Sequence, residues 1–221
     1  MIVFENVTKN YFNGNTGIAD VTFSIGEGDF VFLTGSSGSG KSTVVKLIYR
    51  EILPTDGEIL VNDRSIGIMG KKQVQSLRRK IGVVFQDFKL IKNRTVRQNL
   101  VFSLEAVNYP RKDIDDRVEE VLEMVELLRK QNDYPEQLSG GEQQRASIAR
   151  AIINNPAIIL ADEPTGNLDD SLAHRVLEIF KEINEKNRTT ILFATHNRFL
   201  INLFNTRVLF LQNGILNEYR T

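Results

Sequence analysis

Hydrophobic and polar positions follow three rhythms along this chain. Phe30 to Thr34, Ile81 to Phe85, Ala157 to Ala161 and Thr189 to Thr195 are apolar along most of their length. Strands buried on both faces of a parallel sheet read this way, because neither face meets water. Ile2 to Val7, Val21 to Ile25 and Glu58 to Val61 instead alternate in two-residue steps, which predicts a small antiparallel sheet with one exposed face. Between Gln86 and Leu138 the period lengthens, and Ile114, Val118, Val121, Leu122 and Val125 share one helical face, marking a helical insert over about 87–138. Leu172, Val176, Ile179, Phe180 and Ile183 give Asp170 to Lys186 the same character. Arg207 to Gln212, Asn213-Gly214 and Ile215 to Tyr219 form the two-residue link and flanks of a tight hairpin.

Strands alternating with amphipathic helices predict an α/β fold, a parallel sheet flanked by helices. No repeat, low-complexity tract or linker interrupts it, so residues 1–221 read as a single domain. The 28 basic residues cancel the 28 acidic ones, which leaves no global field to recruit nucleic acid. The absence of cysteine removes disulfides, thiolate catalysis and cysteine-ligated zinc, and two histidines argue against a histidine-rich metal site. The apolar runs are strand-length, far short of the ~20 residues that cross a bilayer. Met1 to Asn6 shows no basic leader followed by an apolar core, so the expected location is the cytosol.

Chemistry enters with Gly35-Ser36-Ser37-Gly38-Ser39-Gly40-Lys41-Ser42, which matches G-x-x-x-x-G-K-[ST] between a predicted strand and a predicted helix. The glycines let backbone N–H groups converge on phosphate oxygens, the helix start adds positive potential, and Lys41 reaches the β/γ-phosphates. Ser42 is the expected Mg²⁺ ligand, with Thr43 close by. Ile158 to Ala161 run into Asp162-Glu163, an apolar strand ending in two carboxylates. Asp162 is placed to hold the Mg²⁺ shell, leaving Glu163 to polarise a water as general base. Gln86 and His196 each directly follow a predicted strand, and the carboxyl edge of a parallel sheet is where ligands bind.

Leu138-Ser139-Gly140-Gly141-Glu142-Gln143-Gln144-Arg145 begins a helix in which Ser139 and Glu142 fit a capping box. Capping does not require two glycines, each costing up to ~1 kcal/mol against alanine when helical. They make sense where another group approaches the backbone closely.

Taken together, the phosphate loop, Gln86, the Leu138–Arg145 signature, Asp162-Glu163, Asn167-Leu168-Asp169 and His196 resemble the ABC ATPases in order and spacing, over nearly the whole chain. The resemblance implies a phosphate-loop fold with a RecA-like core sheet, a small antiparallel subdomain and an inserted helical subdomain. It also implies a homodimer with two ATP molecules sandwiched between the chains, each phosphate loop facing the partner's Ser139, Gly140 and Gly141. By the same resemblance Tyr11 stacks on adenine, Gln86 contacts Mg²⁺ and water, Asp169 links the two sites and His196 contacts the γ-phosphate. Tyr11 also reads as a surface aromatic at a strand end. Chromosome and repair ATPases with related heads require a long coiled-coil insertion that is missing here.

Leu77 to Leu90, followed by Arg94-Thr95-Val96 and Asn99, is similar to the FtsE family of cell-division ATPases. Ile91 stands where that family often has a second leucine, and Asn197 where an aspartate is common. This resemblance implies an FtsX-like membrane partner, attachment to the inner face of the plasma membrane through it, contact with the division-ring protein FtsZ, and control of cell-wall hydrolases. Asp162 to Asp169 is shared with LolD- and MacB-like systems, so a lipoprotein or drug exporter is the alternative. Phe88, Leu90 and Ile91 read either as a docking surface for the partner or as subdomain core. The basic run from Lys71-Lys72 to Arg78-Arg79-Lys80 reads as a solvated face, with anionic headgroups as another contact.

Overall fold

A computed structural model describes every residue except Asn13, Asn167, Asn205 and Thr221, with Tyr219 and Arg220 described by their backbone. The elements run β1 (Ile2–Asn10), β2 (Thr16–Ile25), β3 (Phe30–Thr34), α1 (Lys41–Ile48), β4 (Asp56–Val61), β5 (Arg64–Ser65), α2 (Lys71–Arg78) and β6 (Ile81–Val84). The helical insert follows as α3 (Val96–Ala106) and α4 (Ile114–Met124), leading into α5 (Gly140–Ile152). The chain then passes through β7 (Ile158–Asp162), α6 (Asp170–Asn187), β8 (Thr190–Ala194), α7 (Arg198–Asn202), β9 (Arg207–Gln212) and β10 (Ile215–Arg220).

Two sheets result. The larger has the order β10-β9-β3-β8-β7-β6, parallel throughout except where β10 returns antiparallel to β9. The smaller, β2-β1-β4-β5, is antiparallel. The continuous apolar runs follow from where the large sheet lies. Val31 and Leu33 point into a core shared with the small sheet and α1, while Phe32 between them points into a core shared with the other helices. Ile158 and Leu160 split from Ile159 and Ala161 in the same way, as successive strand residues must. Phe32 and Phe180 each meet Phe193 edge to face, at 5.5 and 5.3 Å between ring centroids. Burying each such ring stabilises the fold by about 1.5–3 kcal/mol.

The structure extends the sequence reading in three places. β2 begins at Thr16, ahead of the expected Val21, because its first residues pair with Lys9 and Asn10 of a longer β1. The two-residue alternation of β1 breaks at Glu5-Asn6, where the pairing register shifts; Asn6 adopts φ +50° and donates its N–H to Thr22 Oγ1 at 2.9 Å. The C-terminal hairpin turns through Asn213 and Gly214, both at positive φ as expected, and its first strand joins the large sheet beside β3.

Candidate active site

The phosphate loop spans the gap between the end of β3 and the start of α1. Gly40 sits at φ +111°, and a Cβ there would lie 2.3 Å from the Gly17 carbonyl oxygen, so the chain itself forbids a side chain. α1 starts with no side-chain cap and no acidic residue in its first turn. Its orphan N–H groups and dipole therefore face the cleft uncompensated. Lys41, only 5% exposed, donates to the carbonyls of Gly35 (2.9 Å) and Ser36 (3.1 Å) and pairs with Glu163 at 3.2 Å. Ser39 Oγ is buried without a partner. The hairpin after β9 braces the loop from below, through the Gly214 N–H donated to the Ser39 carbonyl at 3.1 Å.

Three further strand ends meet this loop. At the end of β7, Asp162 accepts from Ser42 Oγ at 3.0 Å. Burial is the main cause pushing the Asp162 carboxyl above its ordinary range, and the neighbouring Glu163 charge adds to it. Glu163 adopts φ +50°, a left-handed conformation costing a non-glycine residue about 1–2 kcal/mol, and its N–H is tied to the Ala194 carbonyl at 2.9 Å. That conformation aims its carboxylate between Lys41 and His196, whose Nδ1 lies 2.8 Å from Glu163 Oε2. Strain held by surrounding structure is a recurring property of functional sites.

Gln86, Glu163, His196 and Tyr11 line one cleft of about 640 Å³ with Ser36, Ser37, Gly38 and Gly40–Thr43. Tyr11 bends over Gly17 and its hydroxyl lies 3.0 Å from Thr43 Oγ1. Asn15, Thr16 and Gly17 also line the cleft and were not marked by the sequence. Gly17 is the one usable signal, since a Cβ there would meet the Tyr11 ring at 2.8 Å and Thr43 at 3.0 Å.

The signature residues do not line this cleft. Ser139 caps α5 as the box predicts: Ser139 Oγ accepts from the Glu142 N–H at 3.3 Å, and Glu142 accepts from the Ser139 N–H at 2.9 Å. That backbone donor is the main cause holding the Glu142 carboxyl below its ordinary range. A Cβ on Gly140 would meet nothing within 4 Å, whereas one on Gly141 would press on Leu172 at 3.2 Å. Asp169 caps α6, accepting from the Leu172 N–H at 3.0 Å, and Asn167 of the same motif lies outside the described residues. Phe88, Leu90 and Ile91 are half-buried, and Leu90 packs against the core of the helical insert. Among the described residues no helix is long and apolar enough to cross a membrane.

The sequence profile described as ABC transporter matches residues 18–166, two thirds of the chain. The chain belongs to the ABC transporter family. Within it, the cell division ATP-binding protein FtsE of Bacillus subtilis is 46% identical over 216 residues, covering 98% of this chain and 94% of that protein. FtsE of Escherichia coli K12 is 45% identical over 217 residues, covering 98% and 97%. Among solved structures, the ATP-binding cassette MJ0796, a dimer in a post-hydrolysis state bound to ADP and Pi, superposes with a TM-score of 0.92 at 36% identity, covering 100% of this chain and 98% of that one. This ABC cassette is therefore an FtsE-type ATPase, and its two-sheet architecture with a helical insert is the one expected from the signature motifs.

Proposed function

We propose that the chain, acting as one unit over residues 1–221, binds ATP with Mg²⁺ in this cleft and hydrolyses it as one of two copies that complete each other's sites. The observation that carries the reading is convergence: Lys41, Gln86, Glu163 and His196 arrive from separate strand ends at one cleft beside the uncapped start of α1. A polyanion fits there, because the α1 N–H groups carry no side-chain cap and the Lys41 ammonium has no anionic partner other than Glu163. Mg²⁺ fits as well. Ser42, Asp162 and Gln86 offer hard oxygens but too few for a closed cage, and among the described residues no cluster of three acidic, histidine or cysteine side chains stands ready for a metal. Mg²⁺ characteristically keeps waters and phosphate oxygens in such sites.

In this reading Gly35 to Thr43 cradle the phosphates, Tyr11 swings from Thr43 to stack on the base, and His196 holds the γ-phosphate. Glu163 exchanges its Lys41 partner for a water, whose proton it accepts as the water attacks. The bound nucleotide supplies the phosphoryl group and Mg²⁺ neutralises its charge; the residues contribute position and electrostatic stabilisation. Ser139, Gly140 and Gly141 of a second copy close over the phosphates, and Asp169 links the two sites. The open space at Gly140 and the dimeric state of the MJ0796 cassette support that arrangement.

The FtsE relatives extend the proposal to a membrane partner, FtsX-like, that holds the ATPase on the inner face of the plasma membrane, relays its cycle to cell-wall hydrolysis, and brings it to FtsZ at the division ring. A groove of about 260 Å³ between the core sheet and the helical insert, lined by Phe85, Arg78 and Arg150, suits a cytosolic segment of that partner. Isolation from membranes is expected to bring an FtsX-like protein with this chain, and a solute-extruding permease in its place would contradict the division role. For the site, Glu163→Gln is expected to keep ATP binding while turnover falls about 10²–10⁴-fold, and Lys41→Ala to lose binding. Nucleotide titration and phosphate release check both; a Glu163→Gln chain with full turnover would contradict the assignment.

A further inference from the structure

Gln86 stands in the cleft without any element of its own to hold it, since β6 ends at Val84 and α3 begins at Val96. The loop between them takes an unusual path. Phe88 (φ +60°) and Lys89 (φ +50°) are consecutive left-handed residues, and neither is glycine, asparagine or aspartate. Bulky side chains rarely adopt that conformation unless something outside the loop imposes it.

The structure shows what imposes it. Arg150 of α5 donates through Nη2 to the Phe88 carbonyl at 3.0 Å and through Nη1 to the Lys89 carbonyl. Ser147, one turn earlier on the same helix and fully buried, donates its Oγ to the Phe88 carbonyl at 3.0 Å. Beyond the turn, Asn99 of α3 pins the loop again, accepting from the Ile91 N–H at 2.8 Å and donating to the carbonyls of Ile91, Arg94 and Thr95. The Arg150 guanidinium forms no salt bridge among the described residues; backbone carbonyls are what it holds. Burial pulls its pKa below the usual arginine range, as expected for a charge without a carboxylate partner.

We propose that Arg150 is a positioning residue for hydrolysis: its two-pronged guanidinium holds the Phe88–Lys89 turn, and through that turn fixes where Gln86 stands in the cleft. α5 begins at the Ser139-Gly140-Gly141 turn, about 16 Å along the helix axis from Arg150 at 1.5 Å per residue. One rigid helix thus joins the turn offered to a second copy's nucleotide to the glutamine that serves the chain's own. Movement of the signature turn on engagement is carried to Gln86 by the Arg150 fork. The inference rests on the reading that Gln86 serves the hydrolytic site.

A double-mutant cycle on the full-length chain tests it, comparing steady-state ATP hydrolysis of Arg150→Lys, Gln86→Ala and the double variant. Lysine keeps the charge but cannot fork across two carbonyls. Arg150→Lys is expected to lower kcat about tenfold or more, with KM for ATP within about twofold, because misplacement rather than binding is affected. The double variant is expected to hydrolyse no more slowly than Gln86→Ala alone, since the arginine acts through the glutamine. Ser147→Ala removes one of the three bonds without touching the charge, and is expected to repeat the non-additivity with a loss of about threefold; it carries the cycle if Arg150→Lys fails to fold. Losses that multiply, or an unchanged kcat in Arg150→Lys, overturn the positioning role alone. Wild-type kcat in Gln86→Ala overturns the reading of Gln86, and the role of Arg150 with it.

Discussion

The helices α1 and α5 each open on glycine, and the space around those two glycines differs. At the start of α1, Gly40 is crowded from within: its φ is +111°, and the Gly17 carbonyl, Leu211 and Ile18 all stand closer than 3 Å to where a Cβ would be. At the start of α5, Gly140 is crowded by nothing. The caps differ in the same sense. α1 lacks a capping side chain and an acidic first turn, so its N–H groups are free for a ligand, while α5 is closed by the Ser139–Glu142 box. Folding of the single chain explains Gly40 and leaves Gly140 unexplained. A residue that costs helix stability and relieves no clash within its own chain points to a group from outside, which in the proposed dimer is the phosphates held by a second copy.

The largest effect is expected where the chain itself demands glycine. Gly40→Ala forces a Cβ into backbone and is expected to cost about 3 kcal/mol or more of stability, measured by denaturant unfolding, with nucleotide binding lost as well. A variant as stable as the parent would break the contrast. Gly140→Ala separates stability from activity: the helix is expected to gain about 0.5–1 kcal/mol while ATP turnover falls about tenfold or more, because the added methyl meets the partner's nucleotide. Unchanged turnover would remove the argument for an external group.

A smaller effect is expected from pH. Asp162 has its pKa raised in the folded chain, chiefly by burial, so over the window between its ordinary and raised values the empty fold binds more protons than the unfolded chain. Lowering pH through that window stabilises the empty fold and, with Asp162 in the proposed role of Mg²⁺ ligand, is expected to weaken Mg²⁺ binding by protonating the carboxylate. Titration of Mg²⁺-dependent ATP binding is expected to show affinity falling from above the ordinary aspartate value of about 3.9, with no such step in Asp162→Asn. A midpoint at or below that value would contradict the burial argument.

How much of this was legible beforehand depends on the range of the cause. The phosphate loop, the acidic pair after β7 and the capping box are written in consecutive residues, and the strands betray themselves by apolar runs that the two cores on either side of the sheet require. Asn15 to Gly17 entered the cleft unannounced, because the start of β2 is set by pairing with β1 and not by its own alternation. The place of β9 beside β3 is set by pairing across the whole chain, so its local hairpin signal could not reveal it. The left-handed Phe88–Lys89 turn is the clearest case: no turn residue marks it, since its cause is Arg150, 61 positions further on from Lys89.

The central claim is that Lys41's loop and another copy's Ser139-Gly140-Gly141 turn grip one nucleotide between them. The chain contains no cysteine, so single thiols can be placed without background. Chains carrying Ser37→Cys are mixed with chains carrying Ser139→Cys, both also bearing Glu163→Gln to prevent turnover, and exposed to a short bis-maleimide with and without Mg²⁺-ATP. The account predicts a mixed cross-linked dimer that forms with nucleotide and is nearly absent without it. No cross-link in saturating nucleotide, or one indifferent to nucleotide, would contradict it.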